Sequence, residues 1–197
     1  MSSFSRFFGF GGPMARLDGD RIYLRPPERR DWAAWAAVRA ESRYFLTPWE
    51  PTWPSDALSR DAFRRRWARH AEDWAADQAY TFFVFRKADN ALIGGIGLSN
   101  VRRGVAETAS IGYWIGARHA RYGYMTEALK VMLDFSFVRL QLHRLEAACL
   151  PHNKPSRGLL LKTGFQEEGR AREYLRIEGR WQDHILFGMV RGDWVKI

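Results

Sequence analysis

The stretch IGYWIGARHARYGYMTEALKVML, residues 111–133, decides the fold of this chain. Its first six residues alternate in the manner of a β-strand, whereas Ala128, Leu129, Met132 and Leu133 have the spacing of the apolar face of a helix. Between these two patterns lies a short loop that is basic and is low in bulk at Gly116, Ala117, Ala120 and Gly123. We therefore predict a strand that runs through a short loop into a helix.

The predicted loop suits an anion, because the first N–H groups of a helix have no partner within it and lie at the positive end of its dipole. Phosphate is the natural ligand of such a site. Gly123 allows close approach to the backbone, and Arg118 and Arg121 add positive charge. An ordinary connection with exposed arginines remains a second interpretation. A P-loop and a Rossmann fingerprint are excluded, since no Lys-Ser or Lys-Thr pair follows Gly123 and its spacing from Gly116 is wrong.

Length and composition predict one domain with a real core, since the chain has 197 residues of which 46% are hydrophobic. The net charge of +9 favours an anionic ligand or nucleic-acid-rich surroundings without choosing between them. The lone Cys149 predicts a buried strand thiol, and no histidine pair has the i, i+4 spacing of a metal site. We therefore expect no metal. No apolar run is long enough to span a membrane, so we expect a cytoplasmic protein.

Residues 1–20 are predicted to be a loose tail and residues 21–191 a single domain. The predicted strands are residues 21–25, 81–86, 91–98, 107–115, 143–150, 165–177 and 180–190. The predicted helices begin at Asp31, at Ser59, after the loop at Thr126, and at a cap formed by Asn153 or Ser156. Strands and helices interleave first and a hairpin around Glu178-Gly179 ends the chain, so the sheet should be mixed.

The segment LTPWEPTW, residues 46–53, concentrates proline and tryptophan between two predicted helices. Loops carry function more often than packing, so we predict a wall on the substrate side. Aromatic packing under a proline-stiffened loop is an equal alternative. Glu50 is the only carboxylate of the segment.

Together these features resemble the GNAT superfamily of acyl-CoA-dependent N-acetyltransferases, and within it the RimJ and RimL type that acts on ribosomal-protein alanine. The resemblance covers nearly all of residues 21–190 and rests on residues 112–115, residues 123–128, Asn153 with Ser156, and Gly164-Phe165. It implies an α+β, three-layer fold. The expected sheet is mixed and mostly antiparallel, with about seven strands, a splayed central parallel pair and about four flanking helices.

The resemblance also implies acetyl-CoA as the acetyl donor. In the family the loop pattern is Gln/Arg-x-x-Gly-x-Gly/Ala, and its amides hold the pyrophosphate of coenzyme A. The matching positions run from Ala120 to Met125, and both of these depart from the pattern, although amide contacts need no particular side chain. The pantetheine arm is expected in the gap between the splayed strands. The residues expected at the cofactor are Trp114, Ile115, Gly116, Arg118, Arg121, Tyr122, Gly123, Tyr124, Met125, Thr126, Asn153 and Ser156.

A hydroxyl is needed to protonate the leaving thiolate. Many relatives use a tyrosine four residues before the glycine of Gly-Phe, where this chain has Leu160. By resemblance to the Rim type, Ser156 is expected to take this role. A cap in the first turn of a helix is its structural alternative, and the two are compatible.

The attacking amine must be neutral, so a carboxylate near the cleft should remove the ammonium proton directly or through water. Glu168 matches a position that is acidic in Rim-type relatives and is our first choice. Glu107, at the start of the splayed strand, is second and Glu146 third. A backbone N–H near Ile115 is expected to meet the tetrahedral oxyanion.

The function expected is transfer of an acetyl group to a primary amine by direct attack in a ternary complex, with a protein N-terminal α-amine as acceptor and ribosome contact. A small-molecule amine acetyltransferase is an alternative, although polycationic acceptors should favour acidic walls. A non-catalytic acyl-CoA or RNA-binding module is another. We expect no DNA and no membrane partner, and a monomer or homodimer.

Overall fold

The computed structural model describes residues 8–9, 12–13 and 15–194. Half of the predicted tail, residues 1–7, 10–11 and 14, lies outside these ranges. Strands β1 (Phe8–Gly9) and β2 (Gly12–Pro13) pair with each other. Ala15 and Leu17 are buried, and Leu17 pairs with Leu24 at the edge of the main sheet. The last residues of the predicted tail therefore belong to the folded domain.

The main sheet has eight strands and is antiparallel except for one central pair. Its strands are β3 (Leu17–Asp18), β4 (Ile22–Arg25), β5 (Tyr80–Arg86), β6 (Leu92–Arg102), β7 (Thr108–Ile115), β8 (Arg144–Cys149), β9 (Gln166–Ile177) and β10 (Arg180–Val190). They lie in the order β3-β4-β5-β6-β7-β8-β10-β9, and only β7 and β8 are parallel. The mixed, mostly antiparallel sheet is confirmed, and β3 is the strand beyond the seven expected.

Helices cover both faces of this sheet. They are α1 (Trp32–Glu41), α2 (Arg43–Leu46), α3 (Arg60–Ala75), α4 (Tyr124–Asp134), α5 (Lys154–Lys162) and α6 (Arg191–Trp194). The four predicted helices correspond to α1, α3, α4 and α5. The α4 residues of the predicted apolar face, Ala128, Leu129, Met132 and Leu133, are at most 2% exposed.

Strand β5 shows how one sheet serves two apolar layers, because successive side chains of a strand point to opposite faces. Phe82 and Val84 belong to the cluster that contains α4, whereas Phe83 and Phe85 pack with Trp35 of α1 and other aromatics. This gives the three layers expected. No helix in the described ranges is long and apolar enough to cross a membrane.

The parallel strands β7 and β8 stay together for only three residues. Thr108, Ala109 and Ser110 pair with residues 144–146, and no later pair of described residues joins the two strands. Residues 111–115 remain bonded to β6, and residues 147–149 remain bonded to β10. The strands therefore diverge, which confirms the splayed pair. We call the space between residues 111–115 and residues 147–149 the gap.

Candidate active site

The loop between β7 and α4 folds into an anion-binding shape. A turn of 3₁₀ helix spans Ala117–His119, and then Arg121 and Gly123 adopt left-handed backbone angles, with φ of +70° and +83°. Within the described ranges, no backbone carbonyl accepts a hydrogen bond from the amides of residues 121–126. Left-handed residues next to a helix start aim successive N–H groups at one point. The loop therefore presents bare amide donors at the positive end of α4.

Contacts from the start of the domain hold this loop in place. Arg21 donates from Nη1 to the carbonyl of Tyr122 at 3.1 Å and from Nε to Glu127 at 3.1 Å. Glu127 also accepts a hydrogen bond from the Arg21 amide at 2.7 Å. The sequence analysis missed both residues, because they lie 106 positions apart and no local pattern connects them. Their bonds fix the loop before any ligand arrives.

The side chains of the loop explain its departures from the family pattern. Met125, the second residue of α4, is 8% exposed and its side chain packs into the core, so it points away from the bare amides. Tyr122 and the two arginines, Arg118 and Arg121, are exposed. Arg118 approaches Glu41 only at 3.5 Å. Arg121, and Arg118 in addition to its exposed pair with Glu41, can therefore meet an anion at the mouth of the loop.

Strand β7 turns unused backbone donors toward the gap. The Gly116 amide donates to Ile93 of β6 at 2.8 Å. Because successive amides of a strand point to opposite edges, the N–H groups of Ile115 and Tyr113 point into the gap. The Trp114 ring lies on the other side, against Gly95, where a Cβ would come within 2.4 Å of its Nε1 atom. Trp114 thus turns its backbone groups toward β6 and its ring toward the layer of α1, while its neighbours Tyr113 and Ile115 direct their amides into the gap.

The other side of the gap carries two residues that the sequence analysis singled out. Asn153 caps α5, its Oδ1 accepting a hydrogen bond from the Ser156 amide at 3.1 Å. Ser156 does not cap the helix with its side chain; its Oγ lies 2.9 Å from the Tyr113 hydroxyl. Tyr113 is a residue that the sequence analysis missed. Leu160, at the position of the usual tyrosine, is buried in the core.

The sulfur of Cys149 lies beside this pair of hydroxyls. Burial raises the pKa of the Cys149 thiol, and the Ser156 side chain opposes that rise only in part. A neutral thiol is a poor nucleophile. The buried strand thiol expected from the sequence is confirmed, since Cys149 is the last residue of β8 and 5% exposed.

The three carboxylates proposed as a base lie at different distances from the gap. Glu107 is at the closed end, where its carbonyl accepts hydrogen bonds from the His143 and Arg144 amides at 2.8 and 3.2 Å. It precedes Ile111, the first residue of the gap, by four strand positions, about 13 Å. Glu168 reaches across β10 to Arg144, with Oε1 2.8 Å from Nη1. Hydrogen bonding to Arg144 lowers the pKa of Glu168, which weakens it as a base.

Of these three carboxylates, Glu146 lies nearest to the gap. It pairs with Ser110 at the last position before β7 and β8 separate. Gly112 follows two residues later on the same face of β7, and no heavy atom of the described residues lies within 4 Å of a Cβ built there. The carboxylate is partly held by the Nε of Arg144 at 3.2 Å. The space above Gly112 is therefore open to a second substrate next to Glu146.

Residues 46–53 pack where the gap opens. Trp49 contacts His152, which adjoins the cap of α5, at 5.4 Å between ring centroids. The Glu50 carbonyl accepts a hydrogen bond from the amide of Glu178, in the turn between β9 and β10, at 3.2 Å. These contacts confirm the packing interpretation of the loop. The same contacts close one side of the gap. The role of residues 46–53 as a wall on the substrate side stays a prediction.

Comparisons with known proteins identify the family. The family described as acetyltransferase (GNAT) domain matches residues 21–166. A Bacillus subtilis (strain 168) protein named "Probable N-acetyltransferase YjcK" is 35% identical over 177 residues, 90% of this chain and 98% of that protein. The ribosomal protein uS5-alanine N-acetyltransferase of Escherichia coli (strain K12) is 35% identical over 182 residues, 92% of this chain and 94% of that enzyme. The structure of Mycobacterium smegmatis RimJ in complex with CoA-disulfide aligns with a TM-score of 0.86 and 31% identity, covering 90% of this chain and 88% of that one.

Proposed function

Because the chain belongs to the GNAT acetyltransferase family, we propose that it moves an acetyl group from acetyl-CoA to the α-amine of a protein N-terminus, an N-terminal alanine of a ribosomal protein above all. The observation that carries the proposal is that the bare amides of residues 121–126 follow directly after β7, the strand that lines the gap. The likeness to the uS5-alanine enzyme over 92% of this chain supports the acceptor class.

The loop and the gap fit the two chemically different parts of coenzyme A. The amides of residues 121–126, with Arg118 and Arg121 beside them, suit a diphosphate. The gap suits an extended arm that carries amide groups, because the N–H groups of Tyr113 and Ile115 point into it. Asn153 uses only its Oδ1 as a cap, so its side-chain NH₂ is available to donate to the arm.

Acetyl-CoA supplies the thioester carbonyl and the thiolate leaving group. In the proposed reaction the Ile115 N–H stabilises the oxyanion of the tetrahedral intermediate. Glu146, at the point where the strands separate, removes the proton of the attacking amine through water and takes precedence over Glu168 and Glu107. Ser156 donates to the sulfur as the carbon–sulfur bond breaks. The proton that the thiolate finally takes balances the one that the amine loses.

The charge at the gap favours a neutral acceptor residue over a polyamine. Arg39 binds both carboxylate oxygens of Glu50, at 2.9 and 2.5 Å, so the only carboxylate of residues 46–53 is neutralised. Trp53 lies beside the pair and donates to it from Nε1 at 2.7 Å. This wall offers aromatic surface and no free negative charge. A polycation would meet no compensating carboxylate there.

The test is a direct assay on the purified protein. It is incubated with labelled acetyl-CoA and a peptide with the N-terminus of ribosomal protein uS5, alongside the same peptide already acetylated and a polyamine. We expect label on the free N-terminus only. The acceptor assignment is wrong if label enters the polyamine or lysine side chains instead, and the proposed reaction fails if no amine is labelled while calorimetry detects no coenzyme A binding.

A further inference from the structure

The hydroxyls of Tyr113 and Ser156 face each other at the mouth of the gap. Tyr113 is on β7 and Ser156 is in the first turn of α5, after β8, and their oxygen atoms are 2.9 Å apart. Within the described ranges this is the hydrogen bond that the Ser156 side chain makes; its backbone amide goes to Asn153 instead. The two wall elements are therefore joined through the hydroxyl proposed as the acid.

We infer that Tyr113 is a positioning residue for acetyl transfer, one that holds the Ser156 hydroxyl so that its proton is aimed at the sulfur of the leaving group. The inference rests on the proposed function, because it concerns the thiolate of coenzyme A. At the position on α5 where many relatives have a tyrosine, this chain has Leu160. The inference adds a tyrosine from β7, the opposite wall of the gap.

Either hydroxyl of the Tyr113 to Ser156 bond can be the donor, and hydrogen-bond counting shows which direction leaves the serine proton free for transfer. A serine hydroxyl has one proton to donate and two lone pairs that accept. If Tyr113 donates to Ser156, the serine proton remains available to the sulfur of the leaving group. If Ser156 donates to Tyr113 instead, its only proton is used in that bond. Burial raises the pKa of Tyr113, so the phenol stays protonated and remains a donor at any working pH. In the direction that we assign, Tyr113 donates to Ser156, and Ser156 accepts on that side and donates on the other.

A sulfur atom already lies near this hydroxyl. The Ser156 side chain partly opposes the rise that burial causes in the pKa of the Cys149 thiol, so this hydroxyl already acts on a sulfur. When the thioester carbon–sulfur bond breaks, the electron pair goes to the sulfur of coenzyme A, and the chain from Tyr113 through Ser156 stabilises the charge. Each bond of such a chain strengthens the next.

The experiment is a double-mutant cycle with Tyr113→Phe, Ser156→Ala and both together. Phenylalanine keeps the ring and its packing and removes only the hydroxyl. The readout is release of free coenzyme A thiol, measured with an acceptor peptide and also without one, as slow hydrolysis. Because hydrolysis needs no acceptor, a wrong acceptor affects only the peptide arm and leaves the cycle readable.

We expect Ser156→Ala to lower kcat about a hundredfold and Tyr113→Phe about tenfold. The double variant should match Ser156→Ala within about threefold, since Tyr113 acts only through the serine. The KM for acetyl-CoA should stay within about threefold in all three. Tyr23→Phe is the matched control, because it removes a hydroxyl bonded to Asn90 at 3.3 Å on a distant strand and should keep the kcat of the unaltered protein.

Two results would overturn the inference. One is an unchanged kcat in Tyr113→Phe; the other is a double variant that loses the full product of the single effects, which would make the residues independent. Should Tyr113→Phe melt well below the unaltered protein, 3-fluorotyrosine at position 113 replaces it. That residue keeps the shape and changes the acidity of the hydroxyl, and its effect on kcat must vanish when Ser156 is alanine.

Discussion

The pair formed by Arg39 and Glu50 offers a prediction whose size follows from its burial. Arg39 is 8% exposed, and its guanidinium lies between the rings of Trp53 and Trp114, 4.3 and 5.0 Å from their centroids. The side chain of Glu50 is 21% exposed and accepts hydrogen bonds from Arg39 and Trp53. Glu50→Gln leaves the arginine charge in place and removes its counter-ion.

Breaking one side of a buried ion pair costs about 3–5 kcal/mol. The cost here should fall to about 2–3 kcal/mol, because glutamine keeps a carbonyl acceptor, the tryptophan faces attract the cation, and Glu50 is partly hydrated. For a domain of this size that corresponds to a melting temperature lower by about 5–10 °C. The backbone carbonyl of Glu50 accepts a hydrogen bond from the amide of Glu178. Loss of the ion pair should loosen this attachment of residues 46–53 to the β9–β10 turn, so the KM for the acceptor peptide should rise.

The assay is thermal and urea unfolding of Glu50→Gln, Arg39→Met and the double variant, with acceptor and acetyl-CoA kinetics on each. The double variant should be less destabilised than the sum of the singles, since it leaves no unpaired charge. Asp56→Asn is the control, because its pair with Arg65 is exposed and should contribute less than about 1 kcal/mol. A Glu50→Gln protein as stable as the control, or strictly additive effects, would refute the reasoning.

Further predictions concern the loop, the acid stability and the base. Gly123→Ala should weaken coenzyme A binding in calorimetry about tenfold, because Gly123 has φ of +83° and alanine is strained there. Gly104→Ala is the control, since Gly104 has φ of +68° in open space. Both variants should lose about 1 kcal/mol of stability, but only Gly123→Ala should change binding. Burial lowers the pKa of His70 to about 4, so its contribution to stability should be fully present above pH 6.5 and be lost at up to about 1.4 kcal/mol per pH unit in urea titrations between 6.5 and 4, a slope that His70→Gln removes. Glu146→Gln should lower kcat/KM and flatten its acid limb, while Glu168→Gln leaves that limb in place; the opposite order would make Glu168 the base.

The sequence predicted those parts of the molecule that depend on short-range patterns. The strand, loop and helix of residues 111–133 follow from periodicity and from the small residues between the two patterns, and the structure has them as β7 and α4. Strand β3 has only two residues, too few for any period to be visible. The bond between Tyr113 and Ser156 joins residues 43 positions apart. Alternation assigns Tyr113 to a face of its strand, but it carries no information on what lies across the gap.

The gap depends on β7 keeping its place while β8 turns away, and the glycines of β6 make this possible. A Cβ on Gly94 would come within 2.5 Å of the Trp114 carbonyl, and one on Gly95 within 2.4 Å of the Trp114 ring. Backbone and ring therefore lie tightly against β6 only because these side chains are absent. Arg39 covers the other face of the same ring and connects it to Glu50. One wall of the gap is thus fixed by packing on β6 and α1, so the amides of β7 stay aimed into the gap after β8 has left the pair.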